Sequence, residues 1–92
     1  MTCELCEREV DKLTIHHLIP KQKKGQHGPK INICSACHRQ IHTLFDNRRL
    51  AQELHSPEKL KNEPQMHKFL AWVRKQDPNK KVKVHRKESF RR

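Results

Sequence analysis

Two pairs of cysteines have the residue type and the spacing that bind a metal ion. Cys3 and Cys6 form one Cys-x-x-Cys unit, and Cys34 and Cys37 form a second. A Cys-x-x-Cys turn places two thiolates on one side of an ion, and two such turns complete the tetrahedral shell that zinc prefers. The chain has 92 residues, of which 33% are hydrophobic, so its core must be small. Small domains commonly need a metal or disulfides for stability. The sequence therefore predicts a structural Zn²⁺ bound by all four cysteines.

Other uses of the cysteines fit the sequence less well. Two disulfides would suit a secreted protein, but no signal peptide precedes Cys3, and we therefore expect an intracellular, cytoplasmic protein. A finger with two cysteine and two histidine ligands would need its histidines about 12 residues after the second cysteine, whereas His38 directly follows Cys37. A thioredoxin-like redox role would need a βαβ context that the sequence lacks. Free buried thiols would leave both spacings unexplained.

Four histidines are left without a role once zinc binds the cysteines. They are His16, His17, His38 and His42. His38 and His42 are four residues apart on a predicted helix, so they share one face and can bind the same ion. His16 and His17 are adjacent on a predicted strand and point to opposite faces unless the backbone twists locally. One of these two can bind the ion while the other accepts a proton, and the set predicts a second metal site with room for chemistry.

The elements that position these side chains follow from the residue pattern. Residues 13–19 are rich in strand formers, and Pro20 ends them as a regular strand. Residues 21–30 contain glycine and proline and are predicted to form a loop. A short return strand at 31–33 leads into the second cysteine pair, and residues 35–45 have helical periodicity. This order places the histidine doublet on a strand that faces the N-terminal part of a helix.

The second half of the chain is predicted to support this core. Asp46 is a candidate N-cap of a helix that runs to about Leu54. Ser56 followed by proline is a further helix start. Four apolar residues at helical spacing predict an amphipathic helix that ends before Asp77, namely Met66, Phe69, Leu70 and Val73. Residues 82–85 alternate like a short edge strand. We expect a core at 1–45, supporting helices of the same domain at 46–79, and a basic tail at 80–92.

The charge of the chain predicts a polyanionic partner. Lysine and arginine number 21 against 10 acidic residues, which gives a formal net charge of +11. Nucleic acid is the usual partner of such a chain, although many basic stretches are only solvated surface. The candidate DNA-binding residues are Lys21, Lys23, Lys24, Lys30, Arg39, Lys80, Lys81, Lys83, Arg86 and Lys87. No run of about 18 apolar residues predicts a membrane span. The sequence does not indicate which oligomeric state the protein has.

The combined motif resembles a known nuclease family. The motif has three parts, which are Cys-x-x-Cys from residue 3, His-His-Leu-Ile-Pro-Lys from residue 16, and Cys-x-x-Cys-His-x-x-Ile-His from residue 34. Together they are similar to the HNH family, in its zinc-stapled form related to McrA-type restriction endonucleases. The match covers residues 3–42. The resemblance implies a ββα-metal core, which is a two-stranded hairpin packed on one helix with a divalent ion between them. The expected fold is therefore a small α+β domain, with this core stapled by a structural zinc on four cysteines and extended by C-terminal helices and a short edge strand.

The resemblance also implies a role for each motif residue. His17 matches the general base that activates water, and His16, His38 and His42 match ligands of the catalytic divalent metal. Asn32 is the best match for the motif's middle asparagine, which orients the base, and His27 is the alternative. Because His16 replaces the commoner aspartate, three neutral imidazoles bind the ion, which suits zinc, nickel or manganese as well as magnesium. The implied activity is hydrolysis of double-stranded DNA to 5′-phosphate and 3′-hydroxyl ends.

Three function classes remain open on the sequence. The first is a metal-dependent endonuclease or nickase, and the second is a non-catalytic, zinc-stabilised nucleic-acid-binding module. A third, a protein-interaction domain of the RING type, would need more than four cysteine positions, and only one full set is present. A pure binding module has no reason to assemble the additional histidines. The histidines therefore favour the nuclease.

Overall fold

The computed structural model describes residues 1–20 and 28–78 as a two-stranded sheet followed by helices. The elements in chain order are β1 (Thr14–His17), β2 (Lys30–Ile33), α1 (Ser35–Leu44), α2 (Asn47–Glu53), α3 (Pro57–Asn62) and α4 (Pro64–Val73). An isolated antiparallel bridge between Thr2 and Glu9 closes the N-terminal cysteine turn. Among these helices, none has the length and apolarity required to cross a bilayer.

The hairpin separates its side chains onto two faces. β1 pairs with β2 in antiparallel register, with His16 opposite Ile31 and His17 opposite Lys30. Successive side chains of a strand point to opposite faces. His16 and Ile31 are accordingly buried, whereas Lys30 is exposed and His17 is half-buried. The hairpin therefore directs the two members of the histidine doublet to different surroundings.

The second cysteine pair continues directly into α1. Cys34 is the N-cap residue of this helix, with an extended backbone at φ −72° and ψ 162°. Its carbonyl accepts a hydrogen bond from the N–H of His38 at 3.0 Å. The buried side of α1 includes Cys37 and Ile41, which attach the helix to the core. One helical element thus carries two of the cysteines and two of the histidines.

The three supporting helices each begin at a side-chain cap. Asp46 accepts from the N–H of Arg49 at 2.8 Å, and Ser56 accepts from Lys59 at 3.1 Å. Glu63 accepts from Met66 at 3.0 Å. Such a cap contributes about 1 kcal/mol because it satisfies a backbone donor in the first turn. The starts at Asp46 and Ser56 were predicted from sequence.

The break between α3 and α4 was not predicted. Proline disfavours helical backbone in the preceding residue and suits the first position of a helix. Pro64 has this position in α4, and Glu63 before it is extended at φ −65° and ψ 128°. The chain therefore turns between two short helices at this point.

A single apolar cluster joins both halves of the described chain. It contains all four cysteines together with buried residues of every helix, among them Ile41, Leu50, Leu60 and Phe69. The predicted small α+β fold with a four-cysteine cluster is confirmed. The predicted edge strand at 82–85 lies outside the described residues. The division into a core, supporting helices and a tail stays a prediction.

Candidate metal centres

The four cysteines form a buried cluster with the dimensions of a zinc site. The Sγ atoms of Cys3 and Cys37 are 3.8 Å apart, and those of Cys6 and Cys34 are also 3.8 Å apart. All four sulfurs lie within 4.8 Å of one another. Thiolates bound tetrahedrally to zinc at about 2.3 Å must be about 3.8 Å apart. The cluster is therefore compatible with a structural metal site.

The electrostatics of the cluster favour the binding of a cation. Hydrogen bonding among the thiols lowers the pKa of Cys6 to about 6 and moves the pKa of Cys34 well below its usual range. The same contacts raise the pKa of Cys3 and of Cys37. Four thiolates this close repel one another, so without a cation only some of them can be ionised. A divalent ion relieves that repulsion and allows all four to bind as thiolates.

Arg8 links the cluster to the end of the last helix. Its Nε donates to Sγ of Cys6 at 3.3 Å and its Nη2 donates to Sγ of Cys34 at 3.5 Å. Its Nη1 donates to the carbonyl of Gln76 at 3.3 Å. Arg74 completes the link, donating to the carbonyl of Cys6 at 3.3 Å. Four thiolates around one Zn²⁺ carry two excess negative charges, which the guanidinium of Arg8 partly offsets.

We expect Arg8→Ala to destabilise the protein without unfolding it. A hydrogen bond to a charged group contributes about 1.5–3 kcal/mol, and Arg8 makes two with sulfur and one with the α4 end. All three bonds are part-buried, so solvent screening reduces their sum to about the contribution of one such bond. At about 4–8 °C per kcal/mol for a chain of this size, the melting temperature should fall by roughly 6–24 °C. Arg48→Ala, at an exposed arginine of α2, is the control. Equal melting temperatures and equal rates of zinc loss to a chelator in both variants would contradict the role of Arg8.

Three histidines form a second cluster between the hairpin and α1. The ring centroids of His16 and His38 are 5.4 Å apart, those of His16 and His42 are 5.4 Å apart, and those of His38 and His42 are 5.1 Å apart. One ring nitrogen of each lies within 4.8 Å of the others. His16 is buried, His38 is half-buried and His42 is exposed. The cluster therefore opens to solvent on the His42 side.

The buried end of this cluster has an unsatisfied nitrogen. Within residues 1–20 and 28–78, Nε2 of His16 has no hydrogen-bond partner, although the side chain is only 1% exposed. A buried polar atom without a partner costs free energy, so native structures rarely retain one unless it binds something else. Together with the other two imidazoles, this nitrogen fits a site for one metal ion.

The protonation of the three histidines agrees with metal binding. Burial, followed by the neighbouring His38 and His42, lowers the pKa of His16 to about 4. Burial also lowers the pKa of His38 and of His42. At neutral pH the three rings are therefore neutral, and each keeps a lone pair for a metal.

The remaining described motif residues lie around this cluster. His17 is on the opposite face of β1 from His16, across from Lys30. Asn32 is on the same face as His17, one diagonal position along the sheet, and it is exposed. Diagonal neighbours on one face are about 7–8 Å apart. Arg39 is exposed on α1, one turn before His42.

Several sequence candidates lie outside the described residues. They are Lys21, Lys23, Lys24, Lys80, Lys81, Lys83, Arg86 and Lys87, together with His27, the alternative to Asn32.

Two residues at the centres were not identified from the sequence. Arg8 is one, and its signal was a basic residue two positions after Cys6. The other is Thr14, whose hydroxyl oxygen lies 2.8 Å from Nδ1 of His38. Its signal was a polar side chain two positions before His16, which places both on one strand face.

Comparison with known proteins identifies the class of this fold and site. The family model described as HNH endonuclease matches residues 3–44, which contain both cysteine pairs and the three clustered histidines. The chain belongs to the HNH endonuclease family, and the resemblance inferred from the motif is confirmed. It is 43% identical over 82 residues to a protein of Bacillus subtilis (strain 168) named "Uncharacterized protein YisB". The alignment covers 89% of this chain and 82% of that protein. No solved structure gives a significant match.

Proposed function

We propose that this protein is a metal-dependent endonuclease or nickase that hydrolyses phosphodiester bonds of DNA. The observation that carries the proposal is the histidine cluster at the edge of the hairpin. In it a buried nitrogen of His16, which has no partner among the described residues, lies with His38 and His42. Membership of the HNH family supports a nuclease-type function. A structural protein would have no need for a solvent-open group of three neutral imidazoles beside a complete cysteine site.

The two centres would hold different ions. Cys3, Cys6, Cys34 and Cys37 would bind a structural Zn²⁺, since four thiolates in a closed tetrahedron are typical of such sites. His16, His38 and His42 would bind a catalytic divalent ion. Imidazole ligands favour Zn²⁺ or Ni²⁺, whereas Mn²⁺ and especially Mg²⁺ are better suited to oxygen ligands. When bound, this ion supplies stabilisation of the negative charge that develops on the phosphate and on the leaving 3′ oxygen.

His17 would be the general base. It follows His16 on the other side of β1 and is not one of the three clustered histidines, so ligation of the ion does not consume its ring. Burial is the largest cause of the lowered pKa of His16 and of His38, and His17 is still close enough to contribute to both. Imidazole groups titrate near neutral pH, which suits them to accept a proton from the attacking water. Asn32, on the same face, would orient this base. Attack of the water oxygen on phosphorus would break the bond from phosphorus to the 3′ oxygen. The phosphate would stay on the 5′ end, and the departing 3′ oxygen would take up a proton to give a 3′-hydroxyl.

Basic residues of the hairpin and of α1 would bind the DNA backbone. Lys30 is directly opposite His17 in the sheet, and Arg39 is one turn from His42. Both are exposed. Lysine and arginine contacts to phosphate fix the position of a duplex without reading its sequence. The predicted partner is therefore double-stranded DNA held through its phosphates. An intracellular location stays a prediction.

Conversion of supercoiled plasmid to nicked and linear forms tests the proposal. Wild-type protein would be incubated with Mg²⁺, Mn²⁺, Ni²⁺, Zn²⁺ or EDTA. We expect conversion with at least one of these ions and none with EDTA. The non-catalytic binding module, which the charge of +11 also supports, predicts salt-sensitive plasmid binding without conversion under any condition.

The tail is expected to contribute phosphate contacts. A chain ending at Asn79 should bind plasmid more weakly and with a shallower dependence of log affinity on log salt. Each lost phosphate contact lowers that slope by about 0.9. A full-length chain with glutamine at each basic position of 80–92 is the matched control and should behave like the truncated chain. A slope unchanged in both variants would show that these charges do not contact DNA.

A further inference from the structure

One hydroxyl group connects the histidine cluster with the end of the hairpin. Oγ1 of Thr14 lies 3.0 Å from the carbonyl oxygen of Ile33, to which it donates. The same oxygen atom lies 2.8 Å from Nδ1 of His38. Thr14 and Ile33 are paired residues of β1 and β2, and His38 is in the first turn of α1. Thr14 thus joins all three elements of the core.

The donors and acceptors of these two hydrogen bonds can be assigned. A threonine hydroxyl has one hydrogen, and a carbonyl oxygen can only accept. The hydrogen of Thr14 must therefore point to Ile33, which leaves only lone pairs of Oγ1 to face His38. Nδ1 of His38 must then carry a hydrogen and donate it. In a neutral imidazole the other nitrogen, Nε2, has the lone pair.

We propose that Thr14 is a positioning residue that holds His38 in its Nδ1–H tautomer and leaves Nε2 as the metal-binding atom. The inference rests on the proposed metal-binding role of the histidine cluster. Metal-bound histidines commonly donate their second N–H to an outer partner, which fixes the tautomer and the ring orientation. The carbonyl of Ile33 fixes the orientation of the Thr14 hydroxyl in turn, because it accepts the only hydrogen of that hydroxyl.

The position of Ile33 extends the effect to the cysteine site. The next residue, Cys34, is both the N-cap of α1 and a member of the cysteine cluster. Its place in that cluster fixes the end of β2, and with it the carbonyl that orients Thr14. A structural ion at the cysteines would therefore prepare His38 for its ligand role before any second ion binds.

Two variants of Thr14 isolate the hydroxyl. Thr14→Val has nearly the same shape and a strong strand preference but cannot accept a hydrogen bond. Thr14→Ser keeps the hydroxyl. Thr2→Val is the matched control, because this exposed hydroxyl donates to Glu9 at 2.8 Å and makes no hydrogen bond to a histidine of the described residues. All three would be full-length chains carrying one equivalent of zinc at the cysteines.

The first readout is the tautomer of His38 in protein with no second metal. Long-range proton–nitrogen NMR spectra distinguish the two ring nitrogens. We expect the Nδ1–H form in wild type, in Thr14→Ser and in Thr2→Val, and a mixed or Nε2–H form in Thr14→Val. An Nε2–H form in wild type, or an unchanged spectrum in Thr14→Val, would overturn the inference.

The second readout is the affinity for one added equivalent of Ni²⁺, measured by calorimetry. We expect Thr14→Val to bind about 10–100-fold more weakly than wild type, as is typical when an outer partner of a ligand is lost. Thr14→Ser and Thr2→Val should stay close to wild type. An equal affinity in Thr14→Val would overturn the inference.

The outcomes separate this inference from the proposed function. Neither readout involves DNA. If the tautomer and the affinity change as expected but the protein does not cut plasmid, the role of Thr14 is supported and the nuclease function is refuted. If the protein cuts plasmid but Thr14→Val leaves the tautomer and the affinity unchanged, the nuclease function is supported and the role of Thr14 is refuted.

Discussion

Cys34→Ser is expected to leave the protein without its structural metal and largely unfolded at room temperature. Binding of Zn²⁺ at a structural site contributes apparent free energies of about 10–16 kcal/mol in small domains. This is as large as the whole stability of a typical domain, which is about 5–15 kcal/mol. Cys34 also connects the cluster to Arg8 and begins α1. Its loss should therefore disturb both the metal and the helix that carries His38 and His42.

The choice of serine makes this result interpretable. The side chain of Cys34 makes no capping hydrogen bond and serine is a preferred N-cap residue, so the substitution removes no cap and the effect reports the lost ligand. Ser35→Ala, at the exposed next position, is the control and should melt near the wild-type temperature. Circular dichroism would follow unfolding, and mass spectrometry of metals would follow zinc. A zinc-free Cys34→Ser protein that still melts cooperatively near the wild-type temperature would refute a folding role for the metal.

His17→Ala is expected to remove DNA cleavage while retaining the fold and both metals. A positioned general base contributes about 10²–10⁴-fold in rate. His17 is half-buried on the face of β1 opposite the histidine cluster, so its removal deletes no clustered imidazole. Stability and metal content should therefore stay at wild-type values. The measurement is the initial rate of plasmid nicking.

Two further variants make the interpretation of His17→Ala specific. His67→Ala removes an exposed imidazole of α4 and should cleave at the wild-type rate. His16→Ala should lose cleavage together with the second metal, which separates a missing ligand from a missing base. Cleavage by His17→Ala at the wild-type rate would remove this residue from the mechanism.

The two candidate metal centres differ in how far the sequence could predict them. The cysteine cluster could be predicted from four cysteines in two Cys-x-x-Cys units, because the tetrahedral preference of zinc then fixes their arrangement. The i, i+4 spacing of His38 and His42 was equally direct, since a helix places such residues on one face. The burial gradient from His16 to His42 was not predictable, because it depends on how the hairpin packs against α1.

The contacts between distant segments were also beyond prediction. Arg8 donates a hydrogen bond to the carbonyl of Gln76, near the other end of the described chain. No local sequence pattern shows which helix end will pack against the N-terminal cysteine turn. Thr14 meets His38 only because the hairpin register sets it opposite Ile33. The break at Pro64 is different, since proline is a visible local signal. The helices were therefore predictable as elements, and their connections depended on tertiary packing.

A titration of cleavage against bound metal tests the central claim most directly. Protein carrying one equivalent of zinc at the cysteines would receive increasing Ni²⁺ or Mn²⁺, and plasmid conversion would be measured at each step for wild type and His16→Ala. We predict no conversion by wild type at one metal per chain, conversion that saturates at two, and none by His16→Ala throughout. Full conversion with only the cysteine site filled, or saturation at the same point in His16→Ala, would contradict a catalytic metal centre at His16, His38 and His42.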